Sequence, residues 1–149
     1  MKKPVVALVA VVAVAAVGGL GAALFVRHEH AGLVTQSQRP CDGREVPASG
    51  VPASLPLGLP ASSGATLLSV STQGSTTVAF AKVDGGRKDI VAVRDRVLGD
   101  LKGAGYATVG TDQEPGYEAE AEIKGRYEGT LKVSPLCEGL LEVRYKIEQ

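Results

Sequence analysis

Carboxylates are the side chains best placed for chemistry in this chain: Glu118, Glu120, Glu122, Glu128, Glu142 and Glu148. Glycoside hydrolysis uses two of them across a cleft, about 5–9.5 Å apart. Residues 118, 120 and 122 alternate with apolar residues and so share one strand face, which permits that spacing. The same face also carries Lys124, with Lys132, Arg144 and Lys146 on neighbouring strands. Charge pairing across a solvated sheet accounts for such a pattern without catalysis. A catalytic pair further needs burial or a close partner to separate its two pKa values, and nothing in the sequence supplies either. The only histidines, His28 and His30, stand apart from the foldable part of the chain. A His-dependent triad or a Cys–His nucleophile is therefore unsupported. A bare His-x-His is too few ligands for a metal site. Gly85-Gly86 lacks the spacing and the Lys-Ser/Thr ending of a phosphate loop. No catalytic residue, metal or cofactor is expected.

For recognition, the best local candidate is Thr111-Asp112-Gln113-Glu114-Pro115-Gly116-Tyr117, which gathers acceptors, an amide and an aromatic ring at a turn. Asp112, Gln113, Glu114 and Tyr117 are its candidate binding residues, since loops carry function more often than sheet faces. Asp, Pro and Gly are also ordinary turn formers. The segment does not match the alternating oxygen ligands of an EF-hand loop.

The elements that must hold these residues are legible from periodicity. Residues 65–72 and 76–83 read as strands joined by Gln73-Gly74-Ser75 in a hairpin. Asp89 caps a helix running to about Ala104. Ile90, Val93, Val97, Leu101 and Ala104 form its apolar face, and Arg94, Asp95, Asp100 and Lys102 point away. Gly103 or Gly105 ends it, with Tyr106 packing just beyond. Residues 106–110 form a strand leading into a TDQEPG turn. Residues 117–124 and 141–148 alternate strictly between apolar and polar, and 130–133 fit a strand between them. Gly125, Gly129 and the 135–139 stretch mark turns. Strict alternation means one dry and one wet face, as in an antiparallel sheet. The predicted fold is α+β, a two-layer ββαββββ sandwich whose sheet is covered by one amphipathic helix.

Upstream of this, Pro4 to Phe25 is an uncharged apolar run following Met-Lys-Lys. A membrane-crossing helix needs about 20 such residues. Lys2 and Lys3 favour a cytoplasmic N-terminus. The expectation is a single transmembrane anchor over residues 4–26, with cytoplasmic tip and anchor in 1–27. A cleaved secretory signal is the alternative, although the run is long and no small-x-small site precedes Arg27. Either reading puts the rest of the chain outside the cytoplasm. Residues 28–64, with Pro40, Pro47, Pro52, Pro56 and Pro60 among Gly, Ser and Ala, read as an extended linker. Residues 65–149 form the extracytoplasmic domain.

Those 85 residues carry 11 Lys+Arg against 13 Asp+Glu. Nucleic acid is excluded as a partner because that balance leaves no basic footprint. A domain so small has a limited core and benefits from a staple. Cys41 and Cys137 can provide one, since thiols outside the cytoplasm become disulfides. An intermolecular bridge or two free thiols are the alternatives.

The order of anchor, Pro-rich spacer and small Ala/Gly/Val-rich domain resembles small membrane-anchored cell-envelope proteins of high-GC Gram-positive bacteria. The stretch LGDLKGAGYATVG at 98–110 is similar to the helix–AGY–strand unit in the C-terminal domain of LytR-type envelope proteins. These resemblances imply a place in the cell envelope and carry over no functional residue. The expected function is a membrane-tethered extracytoplasmic module binding an envelope protein or polymer. An envelope hydrolase acting on glycans, or a structural assembly subunit using its anchor as an interface, are the alternatives.

Overall fold

A computed structural model describes residues 40–60 and 64–149. The apolar run at 4–26 lies outside them. Among the described residues, no helix is long and apolar enough to cross a membrane.

Six strands form one antiparallel sheet: β1 (Thr66–Gln73), β2 (Thr76–Asp84), β3 (Ala107–Glu114), β4 (Glu118–Lys124), β5 (Glu128–Cys137) and β6 (Leu140–Glu148). Their order across the sheet is β1-β2-β6-β5-β4-β3. The helix α1 (Ile90–Gly103) connects β2 to β3 at the far edge, and a meander returns β6 to pair with β2. This is the α+β, ββαββββ architecture expected from the alternation.

The dry face is built from every second residue. Ala119, Ala121 and Ile123 of β4, Leu131 and Val133 of β5, and Leu141, Val143, Tyr145 and Ile147 of β6 are all buried. Against them α1 turns Ile90, Val93, Val97 and Leu101. The helix packs over β3, β4 and β5. The small Ala119 and Ala121 beneath it let the two layers approach. Ala104, expected on the apolar face, is exposed, because the helix has already ended. Gly105 takes a left-handed φ of 90°, and Tyr106 N–H donates back to Leu101 O at 3.0 Å, the glycine termination of a helix. At the other end, the Asp89 carboxylate turns back to accept from Gly86 N–H at 2.9 Å.

Residues 40–60, read above as spacer, lie against the domain. They contain no strand or α-helix, only a short 3-10 turn at Pro56–Gly58. Cys41 and Cys137 are joined in a disulfide across a sequence separation of 96. Ala48 N–H donates to Leu68 O of the edge strand β1 at 2.8 Å. Leu55 and Leu59 are then buried in the main core. The segment is a strap. Its start is bonded to the end of β5, beside a minor cluster of Leu68, Leu136, Phe80 and Leu140. Its end closes the core that one helix cannot cover alone. Arg44 of the strap also bears on Glu142, whose carboxyl is raised above its ordinary range by burial, against the pull of Arg44 and Arg144.

One core residue is polar at its tip. The Tyr145 hydroxyl is fully buried, and neither it nor the buried Asp100 Oδ2 has a hydrogen-bond partner among the described residues. Burial, and the neighbouring Asp100 carboxylate, push that hydroxyl well above the usual tyrosine range. An unpaired buried hydroxyl costs about 1–3 kcal/mol. Tyr145→Phe is therefore expected to leave stability unchanged or raise it by about 1 kcal/mol. Urea unfolding checks this, and a loss above about 1 kcal/mol would show that the hydroxyl is paired after all.

Candidate functional site

The segment expected to be a TDQEPG turn is mostly strand. β3 continues to Glu114 and β4 begins at Glu118, so the turn is only Pro115-Gly116-Tyr117. Tyr117 N–H closes it on Glu114 O at 2.9 Å, and Gly116 supplies the left-handed φ of 78°. This correction determines where the candidate residues point. Asp112 is opposite Glu120, Glu114 is opposite Glu118, and Gln113 is opposite Ala119. Paired residues share a face. Asp112 and Glu114 therefore stand on the open face and Gln113 on the helix face. Tyr117 sits in the turn, half-buried, with the Arg87 guanidinium 5.3 Å from its ring centre. The four residues do not converge on one point.

Gln113 has a structural partner. Arg94, expected to point into solvent, is buried at 7% exposure. It donates to Gln113 Oε1 at 3.3 Å, to the Asp112 carbonyl at 3.4 Å, and through Nε and Nη2 to Asp95 Oδ1 at 2.9 and 2.8 Å. One guanidinium thus clasps the helix to the edge strand, using the planar fork that Lys lacks. Arg94→Ala is expected to cost about 1–3 kcal/mol and to speed amide exchange in β3 while leaving β5 and β6 protected. Uniform exchange changes across all strands would contradict a local clasp.

The open-face pair Asp112 and Glu114 is joined by Glu118, Glu120 and Glu122 of β4. Lys132 on β5 answers two of these five carboxylates: it pairs with Glu118 and lies 3.0 Å from Glu120. Burial alone would lower the Lys132 pKa, but its bonds to Glu118 and Glu120 outweigh that and raise it. Cross-strand pairing on this face is therefore real, yet incomplete. The pairs Asp112–Glu120 and Glu114–Glu118 set like charges directly opposite, an arrangement that costs stability. Lys124 pairs with Glu128 at 2.6 Å, and Lys146 with Glu148 at 3.1 Å. The acid excess is thus concentrated at the β3–β4 edge.

Gly110 opens a notch in that edge. It faces Glu122 across the ladder, next to an irregularity between Thr108 and Gly110. A depression of about 220 Å³ lies over it, lined by Gly110, Thr111, Asp112, Glu120, Glu122 and Thr130 among others. A second, of about 400 Å³, lies beyond Glu122 and is flanked by Val109, an apolar side chain 58% exposed. Enclosing ligand pockets span about 300–1,000 Å³ and are mainly apolar. The acidic notch is smaller and is ringed by carboxylates and hydroxyls, so it fits surface contact better than enclosure of a scissile bond. Among the described residues the one group of three close metal-ligating side chains is Cys41, Glu45 and Cys137. Its two sulfurs are bonded to each other, whereas metal ligation needs thiolates.

The acid excess followed from a signal in the sequence that the turn reading hid. With only Pro-Gly-Tyr as the turn, Glu114 must pair with Glu118 and Asp112 with Glu120. No protein-family model, curated protein or solved structure matches this chain.

Proposed function

We propose that the chain is a membrane-tethered, extracytoplasmic binding module of the cell envelope that meets its partner at the acidic β3–β4 edge. The observation that carries the binding role is that edge: five carboxylates, one bridging ammonium, and like charges set opposite one another on a rigid sheet. Repulsion retained where neutral residues would be more stable is what a surface for a cationic partner requires. The envelope location draws on the apolar run at 4–26 behind Lys2 and Lys3. The disulfide supports it as well, since such bonds persist in oxidising compartments. Three similarly exposed sites separate this reading from its competitors: Val109 beside the notch, Ser71 on β1, and Gln149 at the end of the chain.

A photo-crosslinking residue at position 109 of the full-length protein is expected to give discrete adducts in living cells, and one at position 71 none. Equal labelling from both positions, or from neither, would reject recognition at this edge. A cysteine at position 149 should react with a membrane-impermeant maleimide on intact cells. Protection there would reject the compartment.

A further inference from the structure

The two edges of the sheet are not equivalent. β1 is strapped at Leu68, where Ala48 N–H donates to its carbonyl oxygen and the Cys41–Cys137 disulfide fastens the strap, and only Ser71–Gln73 beyond that point are exposed in a row. β3 is open: every residue from Ala107 to Glu114 is exposed except the half-buried Gly110. An open edge strand presents backbone donors and acceptors that can pair with an added strand. Resting on the binding role above, we propose that β3 receives an extended peptide segment of a partner protein, with Lys or Arg at every second residue, as a seventh strand.

The charges select this occupant. Side chains alternate along a strand, so Lys or Arg two positions apart on an added strand would stand beside Asp112 and Glu114 on the open face. Residues on the other face would meet Thr111 and Gln113, where Arg94 already holds Gln113, and neutral side chains suit that side. A second copy of this chain is a poor occupant. Antiparallel β3–β3 pairing centred on residue 113 sets Asp112 against Glu114 of the copy. Centring on 112 or 114 sets each residue against itself. All three place like charges opposite, and registers centred on 110 or 111 set Asp112 and Glu114 against uncharged residues, without the charge pairs that a basic strand supplies.

Asp112 also guards the edge. Its Oδ1 accepts from the Gln113 N–H at 2.8 Å, so a neutral strand must displace a charged acceptor to use that donor. A cation in the incoming strand draws the Asp112 carboxylate to itself and releases the N–H for a backbone carbonyl. Charge recognition and strand pairing are then one event.

The test uses the full-length protein in neutral detergent micelles at low salt. Two synthetic peptides of about ten residues, a usual upper length for a strand, have the same composition: one alternates Lys and Thr, the other runs KKTTKKTTKT, in which no two Lys stand two positions apart. Calorimetry is expected to show the alternating peptide binding about fivefold more tightly, the upper value of the one further charge pair that only it can make. Hydrogen exchange should slow across residues 107–114 only with that peptide. Asp112→Asn/Glu114→Gln should abolish the preference, while Glu128→Gln, outside the β3 rail, should preserve it. Equal binding of both peptides without β3 protection would overturn strand addition in favour of diffuse attraction. Protection of β3 without peptide, rising with protein concentration, would overturn it in favour of self-pairing. Absence of binding would overturn it too. If crosslinks from position 109 persist in cells in any of these cases, the binding role survives and only the strand-addition mode fails.

Discussion

Cys41→Ser/Cys137→Ala in the full chain is expected to lower the melting temperature by on the order of 20 °C. Serine suits the exposed position 41, and alanine avoids placing a hydroxyl at the buried position 137. The disulfide closes a separation of 96 residues, for which chain-entropy arguments give up to about 4.7 kcal/mol. Each kcal/mol moves the midpoint of a domain this small by about 4–8 °C. The loss is compounded because the bond fixes the start of the strap. Once it is gone, the Ala48–Leu68 hydrogen bond and the burial of Leu55 and Leu59 must be held against the entropy of a free segment. Circular dichroism melts check this, with and without reductant on the parent protein. A drop below about 5 °C would mean that the strap docks independently of its bond.

Gly129→Ala is expected to be nearly as damaging, although it adds one methyl group. Gly129 sits in β5 opposite Ile123 on one side and Ile147 on the other. A Cβ there would stand 2.3 Å from the Lys146 carbonyl oxygen, 2.8 Å from Ile147 Cδ1 and 3.1 Å from Ile147 Cα. Two of these atoms belong to the β6 backbone, which cannot move without giving up ladder hydrogen bonds to β2 or β5. Overpacking costs about 1–3 kcal/mol where side chains can adjust, and here the obstacle is main chain, so a loss of about 3 kcal/mol or more is expected. Gly105→Ala, which meets nothing within 4 Å but forces a φ of 90° on a residue with a side chain, should cost only about 1 kcal/mol. Urea unfolding of the two variants, compared at equal m-values, measures the difference. Equal losses would show that the β5–β6 contact is looser than its geometry.

The contrast between the two glycines shows what periodicity could and could not convey. β4 and β6 were legible because residues 117–124 and 141–148 alternate without error, and α1 because Ile90, Val93, Val97 and Leu101 recur at helical spacing before a glycine stop. The disulfide was legible because two cysteines allow only one intramolecular pairing. Gly129 looked like a turn residue because a close approach between strands leaves no mark on local sequence. The strand identity of Asp112 to Glu114 was hidden for a related reason. These are weak strand formers beside Pro115-Gly116, and only their pairing with β4 makes them extended. Arg94 was misplaced because a charged helix residue ordinarily faces water, and its partner Gln113 is 19 positions away. The strap left a fainter mark: Leu55-Pro56-Leu57-Gly58-Leu59-Pro60 is apolar for a spacer and suits a domain surface, but nothing in its prolines and glycine says that Leu55 and Leu59 enter the core.

The strap on β1 bears on assembly. An unbounded β-filament needs two complementary growing ends on each subunit, so that every addition exposes the site for the next. The strap holds β1 at Leu68, so a strand added to that edge finds only the short exposed stretch Ser71–Gln73 beyond it. β3 is exposed along nearly its whole length. Of the two ends, one is thus shortened, and the strap works against sheet growth from that side.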